Sequence, residues 1–331
     1  MRTGALILTG VLLTSGPSAA QESPSGLFRA EVTLRAGAQR FPESNGWEGR
    51  VLDRDGNLRY LLSREIPFDI QFPSLRLSDE GWCVLSSGNE GWVEWYDADG
   101  KPAGTLEPFA SPGPDYERIV KTAVGRAHAG LLVSEPGSPE ARVLLTDDRG
   151  GVLWTRMLGL PNAAEIALSE DGRFLVAGAY DGAVPPREVT VLFDGDGQEA
   201  WAREGSFRYA DIDPAGKRIL LADRNTVTIV PASSPDPEGV WRSGRREQVV
   251  TGVRWAGDRA AVAVEEVSLD SGVPMYVTST LLLLDRTGAV LDRRDVAVPS
   301  AHPSALRVEA DRVELRSPAG PAVAIPLSQS R

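Results

Sequence analysis

Three short stretches, DRDGN (53–57), DADGK (97–101) and DGDGQ (194–198), each set two carboxylates one residue apart ahead of a glycine. Alternating carboxylates are the natural donors for calcium, a hard cation that takes oxygen ligands. A helix–loop–helix calcium loop carries donors at positions 1, 3 and 5, glycine at 6 and a glutamate further on. Here glycine stands at position 4. That spacing suits a tight chain reversal, because Asp and Gly tolerate the left-handed backbone that short hairpin turns demand. The expectation is a turn and no cofactor; for calcium only the residue types speak.

Other site chemistry finds few residues to work with. The chain has two histidines, His128 and His302, and one cysteine, Cys83. No pair has the spacing of a transition-metal site, and three nitrogen or sulfur ligands cannot be gathered. Neither GRAHAGLL nor PSAHPSAL lies near a nucleophile-elbow pattern. No glycine-rich phosphate loop follows a strand. With 46 acidic residues, carboxylate pairs for glycoside chemistry arise by chance and carry no signal. Trp82, Trp92 and Trp95 could stack a sugar, but packing is the expected role of clustered tryptophans in strands.

The elements that must position any site repeat along the chain. RLSDEGWCVLSSG (from Arg76), ALSEDGRFLVAG (from Ala167), DIDPAGKRILLAD (from Asp211) and VRWAGDRAAVAVE (from Val253) each read as strand, tight turn, strand. Weaker versions are expected near Gly37, near Gly125–Gly130 and around Asp311. A second turn recurs in phase, at Asp53/Gly56, Asp97/Gly100, Asp147/Gly150, Asp194/Gly197, Asp236/Gly239 and Asp285/Gly288. The flanking runs are rich in Val, Leu, Trp and Tyr, as strands prefer. Each period of about 46 residues therefore holds four strands, A to D, which is one blade of a β-propeller. The fold class expected is all-β, a propeller of about seven four-stranded antiparallel blades, with six as the alternative count. The last unit lacks an obvious strand D.

The LSEDGRFLVAG unit resembles the Ser-x-Asp-Gly repeat of bacterial propellers related to the periplasmic Tol-system propeller. The units with Trp154 and Trp201, each seven residues after the first Asp, resemble quinoprotein-type repeats. That resemblance implies tryptophans that dock neighbouring blades. It covers nearly all of residues 27–326, and speaks of architecture more than chemistry.

The first residues imply export. Arg2 precedes a ten-residue apolar run, Gly4–Leu13, too short to span a bilayer. Ser18-Ala19-Ala20 then offers small residues to a signal peptidase, with Gln21 as the new start. The expected organisation is a signal peptide at 1–20, then one propeller domain at 21–331. A single cysteine cannot make an internal disulfide, and export without disulfides suits a periplasmic or secreted bacterial protein. A net charge of −11 argues against nucleic acid as a partner. No later run is long and apolar enough to be a transmembrane segment.

The A–B and C–D turns are short, whereas the B–C and D–A links are long and rich in Pro, Gly, aromatics and charge. Loops on a rigid scaffold carry function, so a binding surface is expected on the B–C/D–A face. Its candidate contacts are Tyr116, Tyr180, Asp181, Arg187, Arg245, Arg246 and Tyr276. The expected role is a non-catalytic, monomeric binding or scaffold protein whose ligand is a protein, peptide or glycan. An enzyme of the lactonase, lyase or glycosidase kind, working through channel carboxylates with or without calcium, stays open beside it. A quinone-cofactor dehydrogenase has no identifiable residues.

Overall fold

The computed structural model describes residues 21–23, 26–35, 44–67, 73–88, 91–110, 118–268, 275–297, 300, 303–317, 320 and 322–327. They form 27 β-strands and no helix. Blade one holds β1 (Gln21–Glu22), β2 (Phe28–Arg35), β3 (Ser44–Asp53) and β4 (Leu58–Pro67). Blade two holds β5 (Ser74–Leu77), β6 (Cys83–Ser87), β7 (Trp92–Tyr96) and β8 (Pro102–Leu106). Blade three holds β9 (Ile119–Val124), β10 (His128–Ser134), β11 (Arg142–Asp147) and β12 (Val152–Met157). Blade four holds β13 (Asn162–Leu168), β14 (Phe174–Tyr180), β15 (Glu188–Asp194) and β16 (Glu199–Glu204). Blade five holds β17 (Tyr209–Ile212), β18 (Arg218–Ala222), β19 (Thr226–Pro231) and β20 (Gly239–Arg242). Blade six holds β21 (Gln248–Ala256), β22 (Arg259–Ser268), β23 (Met275–Leu284) and β24 (Val290–Val296). Blade seven holds β25 (Ala305–Val308), β26 (Arg312–Arg316) and β27 (Ala322–Pro326). Every sheet runs in chain order, and its pairs are antiparallel where registered. Among the described residues the seventh has three strands, in keeping with a last unit that lacks an obvious strand D.

Burial follows position within a blade. The B strands lie between two neighbouring blades and bury both faces, so β6 (CVLSS) is buried at every residue. The D strands of blades three and four bury one residue each, Trp154 in β12 and Trp201 in β16. Six apolar clusters fill the six junctions between consecutive blades. No such cluster joins blade seven to blade one among the described residues.

The recurring aspartates close the C–D corners. The Oδ1 atom of Asp147 accepts the backbone N–H groups of Arg149 and Gly151, at 2.9 and 2.7 Å. Asp53, Asp97, Asp194 and Asp285 repeat the pair of bonds to the residues two and four places on. Each carboxylate is thereby spent on its own turn. The A–B corners use serine or aspartate in the same spirit: Gly172 N–H donates to Ser169 O at 2.9 Å, and Phe174 N–H to Ser169 Oγ at 2.9 Å.

Two spacing-based expectations are corrected. The A–B turn of blade one is at Ser23–Gly26, where Gly26 N–H donates to Ser23 O at 2.9 Å and Phe28 N–H to Ser23 Oγ at 3.1 Å. Gly37 belongs to the link between strands B and C, outside the described residues. Strand A here is only two residues long, so it shows no alternation for the eye to find. In blade five, Asp236 is not a corner aspartate. Its N–H donates to Ser234 Oγ at 3.2 Å, and Gly239 already belongs to β20. The link 232–238 is longer than the other corners and carries Pro235 and Pro237.

These corners predict acid lability. The Asn57 backbone N–H holds the Asp53 carboxyl below its ordinary range, and the Thr287 hydroxyl does the same for Asp285. A carboxyl whose pKa is lower folded than unfolded adds stability above its unfolded pKa and loses it as pH falls through the folded one. Thermal melts from neutral pH to about pH 3 should therefore fall in the wild type. They should fall less in an Asp53→Asn/Asp285→Asn variant, whose turns no longer titrate.

Candidate functional site

The innermost strands carry charged side chains that bond from blade to blade. Arg76 Nε on β5 donates to Thr122 O on β9 at 3.3 Å. Lys121 Nζ on β9 meets Glu165 Oε2 on β13 at 3.4 Å. Arg254 Nη1 on β21 meets Asp211 Oδ1 on β17 at 3.5 Å, and Trp255 N–H donates to Asp211 Oδ2 at 2.7 Å. Burial pushes the Asp211 carboxyl up, against the pull of Arg254. The inner carboxylates Glu165 and Asp211 are thus each matched to a cation of an adjacent blade.

Two cavities open at blade junctions. One, of about 400 Å³, lies between blades four and five on the turn face. Its wall includes Arg218 and Glu238, which satisfy each other at 2.8 Å. The other, of about 250 Å³, lies between blades five and six at the B–C/D–A face. Arg208 and Tyr209 enter it from the start of strand A in blade five, and Arg224 from the link after β18. Val249, Val250 and Thr251 of β21, with Val267 and Tyr276 of blade six, complete it.

This second cavity is built on anchored backbone but leaves donors unspent. Val250 N–H donates to Arg224 O at 2.7 Å, Val267 N–H to Glu247 O at 2.9 Å, and Arg208 N–H to Ala222 O at 2.8 Å. Tyr276 and Ser300 exchange two backbone hydrogen bonds of 2.9 Å, which ties the link 297–304 to β23. The ladder between β21 and β22 slips between Val250 and Gly252, so Thr251 sits at a bulge. Its Oγ1 is buried and has no hydrogen-bond partner among the described residues. Arg208 Nε lies 3.6 Å from Asp223 Oδ1, while the Arg224 guanidinium has no ion pair among the described residues. Burial raises the phenol pKa of Tyr209, with Tyr276 adding to the shift, and raises that of Tyr276, with Glu265 adding. Both phenols stay neutral donors at physiological pH.

Glu265 stands behind this wall, paired across the ladder with Val249. It is fully buried. Its Oε1 accepts the Ser304 N–H at 2.5 Å and the Ser279 hydroxyl at 3.4 Å, while Oε2 has no partner among the described residues. Burial drives its carboxyl upward.

Of the seven residues expected at a site, six are described, and of these only Tyr276 lines the cavity. Tyr180 ends β14 and Asp181 follows it. The Asp181 Oδ1 accepts Ala183 N–H and Arg187 N–H at 3.2 and 2.8 Å, so it closes its own loop around Arg187. Arg245 reaches Glu266 at 3.7 Å, and Arg246 is exposed beside it. Tyr116 lies outside the described residues, as does His302. The residues that sequence reasoning passed over are Arg208, Tyr209, Arg224 and Thr251. Their only signal is local: basic or aromatic residues at the end of a strand instead of mid-loop.

Other candidates resolve into packing. Trp82 and Trp95 are buried, and Trp92 lies beneath Arg64, whose Cζ is 3.7 Å from the ring centroid, so the three form no open sugar-stacking surface. His128 packs on Gly172 of the next blade. Cys83 is buried and its thiol is pushed up to about 12, which leaves it inert. Trp154 does dock the neighbouring blade, as its repeat implied: its Nε1–H donates to Gly195 O at 3.0 Å. Among the described residues no helix is long and apolar enough to cross a membrane.

The geometry defines a seven-bladed β-propeller, and comparison with solved structures gives the same fold. A structure of the Dos1 propeller aligns with a TM-score of 0.61 at 12% identity, covering 94% of this chain and 78% of that one. A chain from a crystal structure of the mitotic checkpoint complex aligns with a TM-score of 0.59 at 13% identity, covering 90% and 83%. Identities this low speak for fold alone. No protein-family model and no curated protein sequence matches the chain.

Proposed function

We propose that this is a secreted or periplasmic, monomeric binding propeller without catalytic activity, which engages a protein or peptide partner through its B–C/D–A face. The observation that carries the reading is the cavity between blades five and six. It opens on that face, is held by firm backbone, and keeps donors at Arg224, Tyr209 and Tyr276 that have no partner among the described residues. An enzyme acting through inner carboxylates has less support, because Glu165 and Asp211 are already paired with Lys121 and Arg254. The Ser-x-Asp-Gly turns and the docking of Trp154 support kinship with bacterial Tol-type and quinoprotein-like propellers. The apolar run before Gln21 supports export, and a glycan remains the alternative ligand.

Site-specific photo-crosslinking tests this. A benzoylphenylalanine at Tyr180 or Arg246 should give discrete protein adducts in the periplasmic or extracellular fraction of the producing cell. The same group at Lys101 or Asp196, in the C–D turns, should give none. Equal labelling from both faces, or substrate turnover that Glu165→Gln abolishes, would overturn the reading.

A further inference from the structure

We infer that the cleft between blades five and six captures a carboxylate on an extended acidic peptide. This rests on the binding role proposed above and gives it a ligand chemistry.

Local charge is the first argument. The three loops that frame the cleft on the blade-five side (205–208, 223–225 and 243–247) hold Arg208, Arg224, Arg245 and Arg246 against only Asp223 and Glu247. The whole chain has the opposite balance, 35 basic to 46 acidic residues. A Debye length of about 8 Å at physiological salt lets a small basic corner act independently of the distant acidic surface. Asp223 is taken by Arg208 and Glu266 by Arg245. Arg224 is left to meet an anion, and a guanidinium fork fits a carboxylate with two parallel hydrogen bonds.

The lining is also rich in donors. Two neutral phenols, those of Tyr209 and Tyr276, line the same space as Arg224. A volume of about 250 Å³ falls below the roughly 300–1,000 Å³ of cofactor-sized pockets. It suits one acidic side chain or a chain end. A peptide is favoured over an acidic sugar because the apolar Val249 and Val267 beside Arg224 suit the methylene stem of an acidic side chain better than the hydroxyl-covered ring of a sugar.

The test is fluorescence anisotropy with a labelled octapeptide of alternating Glu and Ala, and its Gln/Ala counterpart, on the full protein. The Glu peptide should bind, weaken as salt rises, and bind on the order of ten-fold tighter than the Gln peptide. Arg224→Glu should cost on the order of ten-fold or more, and Arg224→Gln part of that. Arg312→Glu on blade seven should change nothing. The melting curve of each variant shows that it is folded. Equal binding of both peptides, an unchanged Arg224→Glu, no peptide binding, or binding of oligogalacturonate in place of the peptide would overturn the inference. Crosslinks from Tyr180 and Arg246 that persist in Arg224→Glu would leave the binding role standing. Their absence in the wild type would remove that role itself.

Discussion

Trp95→Ala is expected to destabilise the propeller by about 3–5 kcal/mol, the range for truncating a fully buried large aromatic. Trp95 is 0% exposed and packs with Ala129, Leu131, Val133 and Leu144, which belong to the next blade. Its ring also forms the floor under the C–D corner of blade three. There Gly150 has φ +81°, and a Cβ would stand 2.7 Å from Trp95 Cε3. Tyr60 beneath Gly100 and Trp154 beneath Gly197 repeat the arrangement at neighbouring junctions. The glycine therefore serves two needs: a left-handed backbone for the turn, and room for an aromatic ring. Gly150→Ala should be destabilising in the wild type for both reasons. In the Trp95→Ala background only the backbone cost, about 1–2 kcal/mol, should remain. Urea denaturation of the two single variants and the double variant gives the coupling. Strictly additive losses would show that turn and ring do not act as one joint.

Glu265 should give the second large effect, and one that depends on pH. Glu265→Ala removes the acceptor of the Ser304 N–H and opens a hole beside Ser279, for a loss of about 3 kcal/mol. Glu265→Gln keeps an oxygen for Ser304 and removes the charge. The wild-type carboxyl has a higher pKa folded than unfolded, because burial disfavours its charged form. Such a group favours the fold most at low pH, and that favour is lost as pH rises through the folded pKa. The Gln variant does not titrate. Its stability relative to wild type should therefore be lowest at and below about pH 4, the unfolded pKa, and climb as pH rises until the folded carboxyl has ionised. Chemical denaturation across this range measures it, and a difference that stays flat with pH would refute it. Since Ser304 belongs to the link 297–304, which Ser300 also ties to Tyr276, the Ala variant should loosen one wall of the cleft as well.

Much of the architecture was legible because the corners are chemically explicit. Asp at the first position and Gly at the fourth read as a turn with a mechanism, and five of the six proposed C–D corners have that geometry. The sixth, Asp236/Gly239, failed because two prolines and an extra stretch of chain mimic the residue types without the hydrogen bonds. The first A–B turn failed for the opposite reason, since a two-residue strand carries no pattern. The cleft was hidden more deeply. Of its lining only Tyr276 stood out, as an aromatic beside a long loop, while Arg208, Tyr209 and Arg224 read as ordinary strand ends. The long loops drew the eye to Asp181, whose carboxylate turns out to be occupied within its own loop.

The chain alone determined the blade: its period, its four strands and its corners. These rest on interactions between residues a few positions apart, and local backbone preference writes them directly into the residue order. Only the tertiary structure decided which polar groups remain unspent. Whether a carboxylate or guanidinium is matched depends on the next blade, some forty residues away, as Lys121 with Glu165 and Arg254 with Asp211 show. A charge paired across a junction and a charge facing a cleft look alike in sequence; the ring of blades tells them apart.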